Sequence, residues 1–329
     1  MGSTPAPSAV PRQGAVSLDI VIPVFNEEAV LERLLARLRE VFSPEACRSH
    51  GMRSVRYLFV DDGSTDGSAP LLSKSIAAGT PGMLLRLSRN FGHQHAVAAG
   101  LDHATADVVA ILDADLQDPP ELIPAMLGRW REGYEVVYGQ RRRRTGNVIR
   151  RAGYWLFYRL LSFLAEVAIP LDSGDFCLIG RTVVDAMRAL PERLRFPRVL
   201  RAWVGFPQAG VPFDRPPREA GRTKYTLSSL YRLATDGVVS ASLRPLQLAQ
   251  VFSVAYLMAT LVAGCWYLLW PGRSTAPPIV GVGLFLILLG NFVQVFCIYI
   301  LGAYVGRTYI EAKGRPPYII MEIVSRPDA

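Results

Sequence analysis

The chain has 329 residues, 50% of them apolar, with a positive mean hydropathy and a net charge of +8. It can bury one sizeable core and still carry membrane-embedded mass, and its charge directs attention to nucleic acid, anionic lipid or a phosphorylated substrate. Only four cysteines occur, Cys47, Cys177, Cys265 and Cys297, without short paired spacing, which excludes a zinc ribbon or a disulfide framework. Residues 1–16, with Pro5, Pro7, Pro11 and Gly14 and no apolar core of signal-peptide length, read as a disordered tail.

Residues 18–25 form a β-branched apolar run that predicts a strand, and Asn26-Glu27-Glu28 then caps a helix with Val30, Leu31, Leu34, Leu35 and Leu38 on one face. A second strand over 55–60 runs into Asp61-Asp62-Gly63-Ser64-Thr65-Asp66-Gly67. A third over 83–87 leads into Ser88-Arg89-Asn90-Phe91-Gly92 and a helix near 93–104. A fourth over 108–112 enters Asp113-Ala114-Asp115-Leu116-Gln117-Asp118, after which Pro119-Pro120 opens a helix through Arg129. A fifth over 135–138 ends at Gly139-Gln140-Arg141. Such alternation predicts an α/β domain with a doubly wound, mostly parallel sheet.

In an open α/β sheet ligands bind at the carboxyl ends of strands, and three of these ends carry polar groups of complementary use. Asp113 and Asp115 alternate around Ala114 and offer the hard oxygens that suit Mg²⁺ or Mn²⁺ on a phosphate. Pro23, Phe25, Asn26 and Glu27 are candidates for a nucleobase and ribose pocket, with Asp61 and Asp62 as acceptors. Each has a structural alternative: Asn26 as a helix cap, Glu27 as a first-turn charge, Asp62-Gly63 as a tight turn. Their collection at strand ends of one domain argues for a shared site. No Gly-x-Gly-x-x-Gly follows the first strand, which disfavours a dinucleotide-binding dehydrogenase.

Arg141 to Arg144 and Arg150-Arg151 precede Tyr154, Trp155, Phe157, Tyr158 and Phe163, a pattern that predicts an interfacial amphipathic helix over about 148–165 and not a nucleic-acid platform. Glycine in Gly174-Asp175-Phe176 lets the backbone approach a ligand and brings Asp175 toward the cleft. Gly221, between Arg218 and Lys224, suits a basic flap closing over a diphosphate. Residues 246–270 and 277–305 contain no charged side chain, and each run exceeds the roughly 20 residues that span a bilayer core. Two transmembrane helices (246–270 and 278–305) are predicted, preceded by a juxtamembrane helix over 226–245 and followed by a tail over 307–329. Arg232, Arg244, Arg307, Lys313 and Arg315 lie outside the pair against Arg273 in its turn, which places the soluble domain and both termini in the cytoplasm, at the inner membrane.

The runs at 21–28, 59–66 and 113–120 resemble family 2 glycosyltransferases of the GT-A fold. Within that family they are most similar to the polyprenyl-phosphate glycosyltransferases, such as bactoprenol glucosyltransferases and dolichol-phosphate mannose synthases. The likeness spans roughly residues 18–325 and includes the 88–92 motif, Gly174-Asp175-Phe176 and the terminal membrane pair. It implies inverting transfer of a hexose from a nucleotide-sugar, UDP-glucose or another UDP-hexose, to a polyprenyl phosphate such as undecaprenyl phosphate at the cytoplasmic leaflet. By resemblance, Asp113 and Asp115 hold Mg²⁺ or Mn²⁺ on the diphosphate with Gln117 assisting. Pro23, Phe25, Asn26, Glu27, Asp62 and Ala114 line the nucleotide-sugar pocket, and Lys224 reaches the diphosphate. Arg141, one of Arg150 and Arg151, and Arg222 face the acceptor phosphate, beside which Asp175 acts as positioning group or base. A homo-tetramer is also implied, and for His93 and His95 ordinary polar packing is preferred over contact with donor phosphate. The alternatives are a GDP-mannose-using enzyme and a non-catalytic nucleotide-sugar or lipid scaffold. A processive polysaccharide synthase is disfavoured because the Gln-x-x-Arg-Trp signature is missing.

Overall fold

The computed structural model describes residues 11–141, 173–192, 195–214, 244–269 and 277–326. These fall into two units, the first comprising the described residues up to 214 together with 315–326, the second 244–269 and 277–314. The predicted helix over 148–165 lies outside the described residues, as does that over 226–245 except for its last two residues.

The first unit is built on β1 (Val16–Val24), β2 (Met52–Asp61), β3 (Gly82–Leu87) and β4 (Val108–Ile111), which lie in the order β3-β2-β1-β4 with every neighbour parallel. β1 is central, and Ile20, Val21 and Ile22 are fully buried on both its faces, as a strand covered by two helical layers requires. Leu18, Ile20, Ile22 and Val24 meet α1 (Glu28–Val41) and α3 (Ser68–Ala77) on one face, where Val30, Leu31, Leu34, Leu35 and Leu38 supply the expected apolar stripe. The short α2 (Pro44–Ser49) joins α1 to β2. On the other face Val21, Leu58 and Val60 meet α4 (His93–His103).

Outside this nucleus the sheet becomes mixed. β5 (Val136–Arg141) and β6 (Ser173–Gly180) continue it beyond β4, β6 antiparallel to both, and β7 (Gln208–Phe213) runs parallel to β5 at the edge. Between β6 and β7 lie α6 (Arg181–Ala189) and α7 (Pro197–Trp203). At the opposite edge β8 (Ile320–Ser325) pairs antiparallel with β3. The segment predicted as a plain tail thus completes the sheet, fastened by Ser88 N donating to Ile319 O at 2.9 Å and by Arg86 to Glu322 at 2.6 Å.

Two boundaries shift for identifiable reasons. The helix expected at Pro119-Pro120 is α5 (Leu122–Arg131), because the prolines, lacking N–H groups, contribute carbonyls to its entry: Leu122 N bonds Pro119 O and Ile123 N bonds Pro120 O. Residues 11–16, assigned to a tail, are fastened to the domain. Arg12 N donates to Arg131 O, its guanidinium pairs with Glu135 and lies 4.3 Å from the Trp130 ring centroid, and Val16 already belongs to β1.

Gly100 shows how closely α4 packs. A Cβ there would overlap Val21 Cγ1 and approach Cγ2 at 3.1 Å. Gly100→Ala is expected to destabilise by about 1–2 kcal/mol, overpacking outweighing a helix-propensity gain of about 1 kcal/mol. Thermal unfolding of the variant checks this, and Val21→Ala in the same chain restores part of the loss.

In the second unit α8 (Arg244–Leu269) and α9 (Pro277–Ala312) touch where Tyr256 Oη donates to Leu286 O at 3.1 Å and where Phe252 and Phe296 meet edge to face at 5.9 Å. Their other apolar side chains, including Val251, Val262, Phe285 and Phe292, are largely exposed. Among the described residues the stretch Phe285–Ala312 is long and apolar enough to cross a membrane, and Ala249–Ala263 forms a shorter apolar helix.

Candidate active site

The order β3-β2-β1-β4 reverses direction at β1: the chain builds outward to β3, then crosses back through α4 to place β4 on the other side. The carboxyl ends of β1 and β4 therefore border the crevice at a topological switch point. Pro23, Phe25, Asn26 and Glu27 leave β1 there, Pro23 buried and the next three half-buried. Asp113, Asp115 and Gln117 leave β4 there and are partly exposed, whereas the intervening Ala114, Leu116 and Asp118 are buried. Leu116 has φ 58°, a left-handed conformation that costs a branched residue roughly 1–3 kcal/mol and is held by burial of its side chain. Asp115 Oδ1 accepts from Gln117 N at 3.1 Å, which stiffens the loop further.

This donor set suits a divalent cation shared with substrate. Among the described residues no group of three or more His, Cys, Asp or Glu side chains is placed to hold a metal unaided. Two carboxylates on the open side of a loop, with diphosphate oxygens and water completing the shell, match the way Mg²⁺ and Mn²⁺ bind.

The motifs after β1 and β2 brace one another. Asn26 N donates to Ser64 Oγ at 3.0 Å, Thr65 N to Asn26 Oδ1 at 2.8 Å, Glu27 N to Ser68 Oγ at 3.0 Å and Gly67 N to Glu28 Oε2 at 2.8 Å. Asn26, at φ 54°, is therefore not the helix cap; Glu27 holds that position without a side-chain cap bond, and Asn26 ties the two loops together. Asp61, buried, accepts from Ser64 N at 3.0 Å within its own turn. Asp62 spends one oxygen on Phe91 N at 2.7 Å and the other on Gly92 N at 2.9 Å. Burial pushes its carboxyl up from the usual value, partly offset by those two amides. Its placement is that of a tie between β2 and the loop before α4. Gly63, at φ 71°, lets that loop lie close, since a Cβ there would come within 2.6 Å of the Arg89 carbonyl carbon.

Asp175 emerges as the centre of a charged cluster. Its side chain is 14% exposed on β6, Arg198 of α7 contacts it at 3.3 Å, Gln94 donates to it at 3.2 Å and His93 Nε2 lies 3.4 Å away. His93 Nε2 is also 3.7 Å from Asp113 Oδ1. Burial opposes the charge on Asp175, but Arg198, His93 and Arg201 outweigh it and hold the carboxyl far below its usual range. Burial likewise opposes protonation of His93, yet the Asp175 hydrogen bond and the charges of Asp113 and Asp175 raise it to about 9. A carboxylate held in this way accepts a proton poorly.

Arg141 ends β5. Arg150, Arg151, Arg222 and Lys224 lie outside the described residues. His93 lies between Asp113 and Asp175, and Arg198 was not singled out, because its partner comes from a strand 23 residues away.

Fold and site together define an α/β enzyme with a ligand crevice at its switch point. The chain belongs to glycosyl transferase family 2, whose family model matches residues 19–188, and it is a glycosyltransferase. It is similar to the uncharacterized glycosyltransferase YkcC of Bacillus subtilis, 38% identical over 310 residues that cover 93% of this chain and 94% of that one. It is also similar to a prophage bactoprenol glucosyl transferase homolog of Escherichia coli, 34% identical over 94% of this chain and 99% of the relative. The bactoprenol glucosyl transferase of Shigella phage SfX is 33% identical over 93% of this chain and 99% of its own.

Proposed function

We propose that this enzyme transfers a hexose, glucose from UDP-glucose, to undecaprenyl phosphate at the cytoplasmic leaflet of the inner membrane. The observation that carries the reading is the placement of Asp113 and Asp115 at the switch point, in a chain that matches proteins named bactoprenol glucosyl transferase over almost their full length. Asp113 and Asp115, with Gln117, would hold Mg²⁺ or Mn²⁺ at the donor diphosphate. The bound cation supplies positive charge where negative charge develops on the departing nucleotide.

Pro23, Phe25, Asn26, Glu27 and Ala114 shape the nucleotide-sugar pocket, and Asp62 sets the loop that closes one side of it. Lys224 reaches the diphosphate, and Arg141, Arg222 and one of Arg150 and Arg151 hold the acceptor phosphate. That phosphate has a second pKa of about 6 and is largely dianionic at neutrality, so it needs alignment more than deprotonation. Asp175 supplies alignment, and direct displacement inverts the anomeric centre.

Helices α8 and α9 act as a transmembrane hairpin, with the transferase domain and both termini in the cytoplasm. Their exposed apolar surfaces and the Tyr256–Leu286 contact support this. Tethering at the bilayer raises the effective concentration of a lipid-bound acceptor, and four copies assemble into the working oligomer.

Purified protein given radiolabelled UDP-glucose, Mn²⁺ or Mg²⁺ and undecaprenyl phosphate is expected to move label into the lipid phase as a β-linked product, and to stop in excess EDTA. Undiminished transfer in chelator refutes the metal assignment. Preference for GDP-mannose in a donor panel redirects the donor, absence of lipid label with every donor favours the scaffold reading, and a polymer product favours a processive synthase.

A further inference from the structure

Ile111 pairs with Cys177 at the end of the antiparallel ladder between β4 and β6, two residues along the chain from Asp113 on one side and from Asp175 on the other. Two carboxylates brought close to one another repel. The fold answers with side chains from two other elements. His93, the first residue of α4, stands between the acids, 3.7 Å from Asp113 Oδ1 and 3.4 Å from Asp175 Oδ2. Arg198, the second residue of α7, brings Nε and one terminal nitrogen within 3.3 Å of Asp175 Oδ1. Gln94 Nε2 joins His93 on Oδ2 at 3.2 Å. The two oxygens of Asp175 are thus divided, one to α7 and the other to the start of α4.

We infer that Arg198 is a positioning residue of the transfer site: by holding Oδ1 of Asp175 it directs Oδ2 toward His93 and so sets the His93 ring beside Asp113. The inference rests on the reading of Asp113 as a donor-site acid. A guanidinium suits the task because two of its nitrogens converge from a rigid planar fork on a single oxygen and anchor it, whereas an ammonium provides charge without that constraint. Arg198 acts through Asp175 and His93, so its effect reaches Asp113 only while both are present.

The test uses the full-length protein in detergent, labelled at its four histidines, with the His93 ring signal assigned by its loss in His93→Gln. Arg198→Gln is expected to shift the His93 signal and leave that of His103 in place, and Arg198→Lys to return it part of the way. In the lipid-transfer assay Arg198→Gln lowers kcat about tenfold with the donor KM changed by no more than about twofold. Combined with His93→Gln it adds little further loss, as residues acting in one chain should. An unmoved His93 signal in Arg198→Gln, or losses that simply multiply in the double variant, overturns the inference. A wild-type protein that transfers no sugar overturns the reading of the donor site, and the histidine signals still decide the role of Arg198.

Discussion

Asp113→Asn lowers turnover about a hundredfold or more while leaving the fold in place. On the proposed reading the substitution weakens the hold on a cation that would face the developing anion, and losing one preorganised electrostatic contact of that kind typically costs roughly 10²–10³ in rate. Asp113 is 27% exposed at the mouth of the crevice, so the amide fits without repacking. Asp115→Asn is expected to behave alike, because an amide oxygen can still accept from Gln117 N and preserve the loop that Leu116 holds in its left-handed turn. Both variants should need more Mn²⁺ for half-maximal rate. Titrating Mn²⁺ in the lipid-transfer assay, alongside thermal unfolding, separates this outcome from a structural role, in which the melting midpoint would fall and the metal dependence would not change.

The second large effect belongs to Asp62. Its two oxygens each accept from a backbone amide, Phe91 N and Gly92 N, so Asp62→Ala leaves two donors of the 88–92 loop without partners and costs roughly 1–3 kcal/mol. The functional loss should exceed the stability loss, since that loop delivers His93 and Gln94 to Asp175. Asp62→Asn keeps one acceptor and turns a donor toward the other amide, so it falls between alanine and wild type. Thermal unfolding and transfer rate measured on the same preparations check the order. Wild-type turnover in Asp62→Ala would show that the tie is dispensable for chemistry.

The parallel nucleus was legible because β1 to β4 are apolar runs rich in β-branched residues, separated by amphipathic helices, and the alternation leaves few topologies open. The acids at 113 and 115 were legible for a related reason: alternation along an extended loop separates an open side from a buried one, and the exposure of residues 113–118 follows it residue by residue. β8 was not, because a short edge strand preceded by Pro316-Pro317 carries little local signal and its partner β3 lies far away in sequence. Asn26 and Asp62 illustrate a different limit. Either side chain suits a ligand as well as a backbone amide, and only placement shows which amides each one accepts from, Thr65 N for Asn26 and Phe91 N and Gly92 N for Asp62. His93 and Arg198 failed for want of local context, since their partner Asp175 arrives from β6.

The pairing of β8 with β3 also governs the order in which the enzyme can be made. Arg86 and Glu322 meet across 236 residues of chain, and the apolar helix α9 lies between them. During translation the outer edge of β3 therefore stays open until that helix has left the ribosome, and a nascent chain cannot close its catalytic sheet ahead of its longest apolar segment.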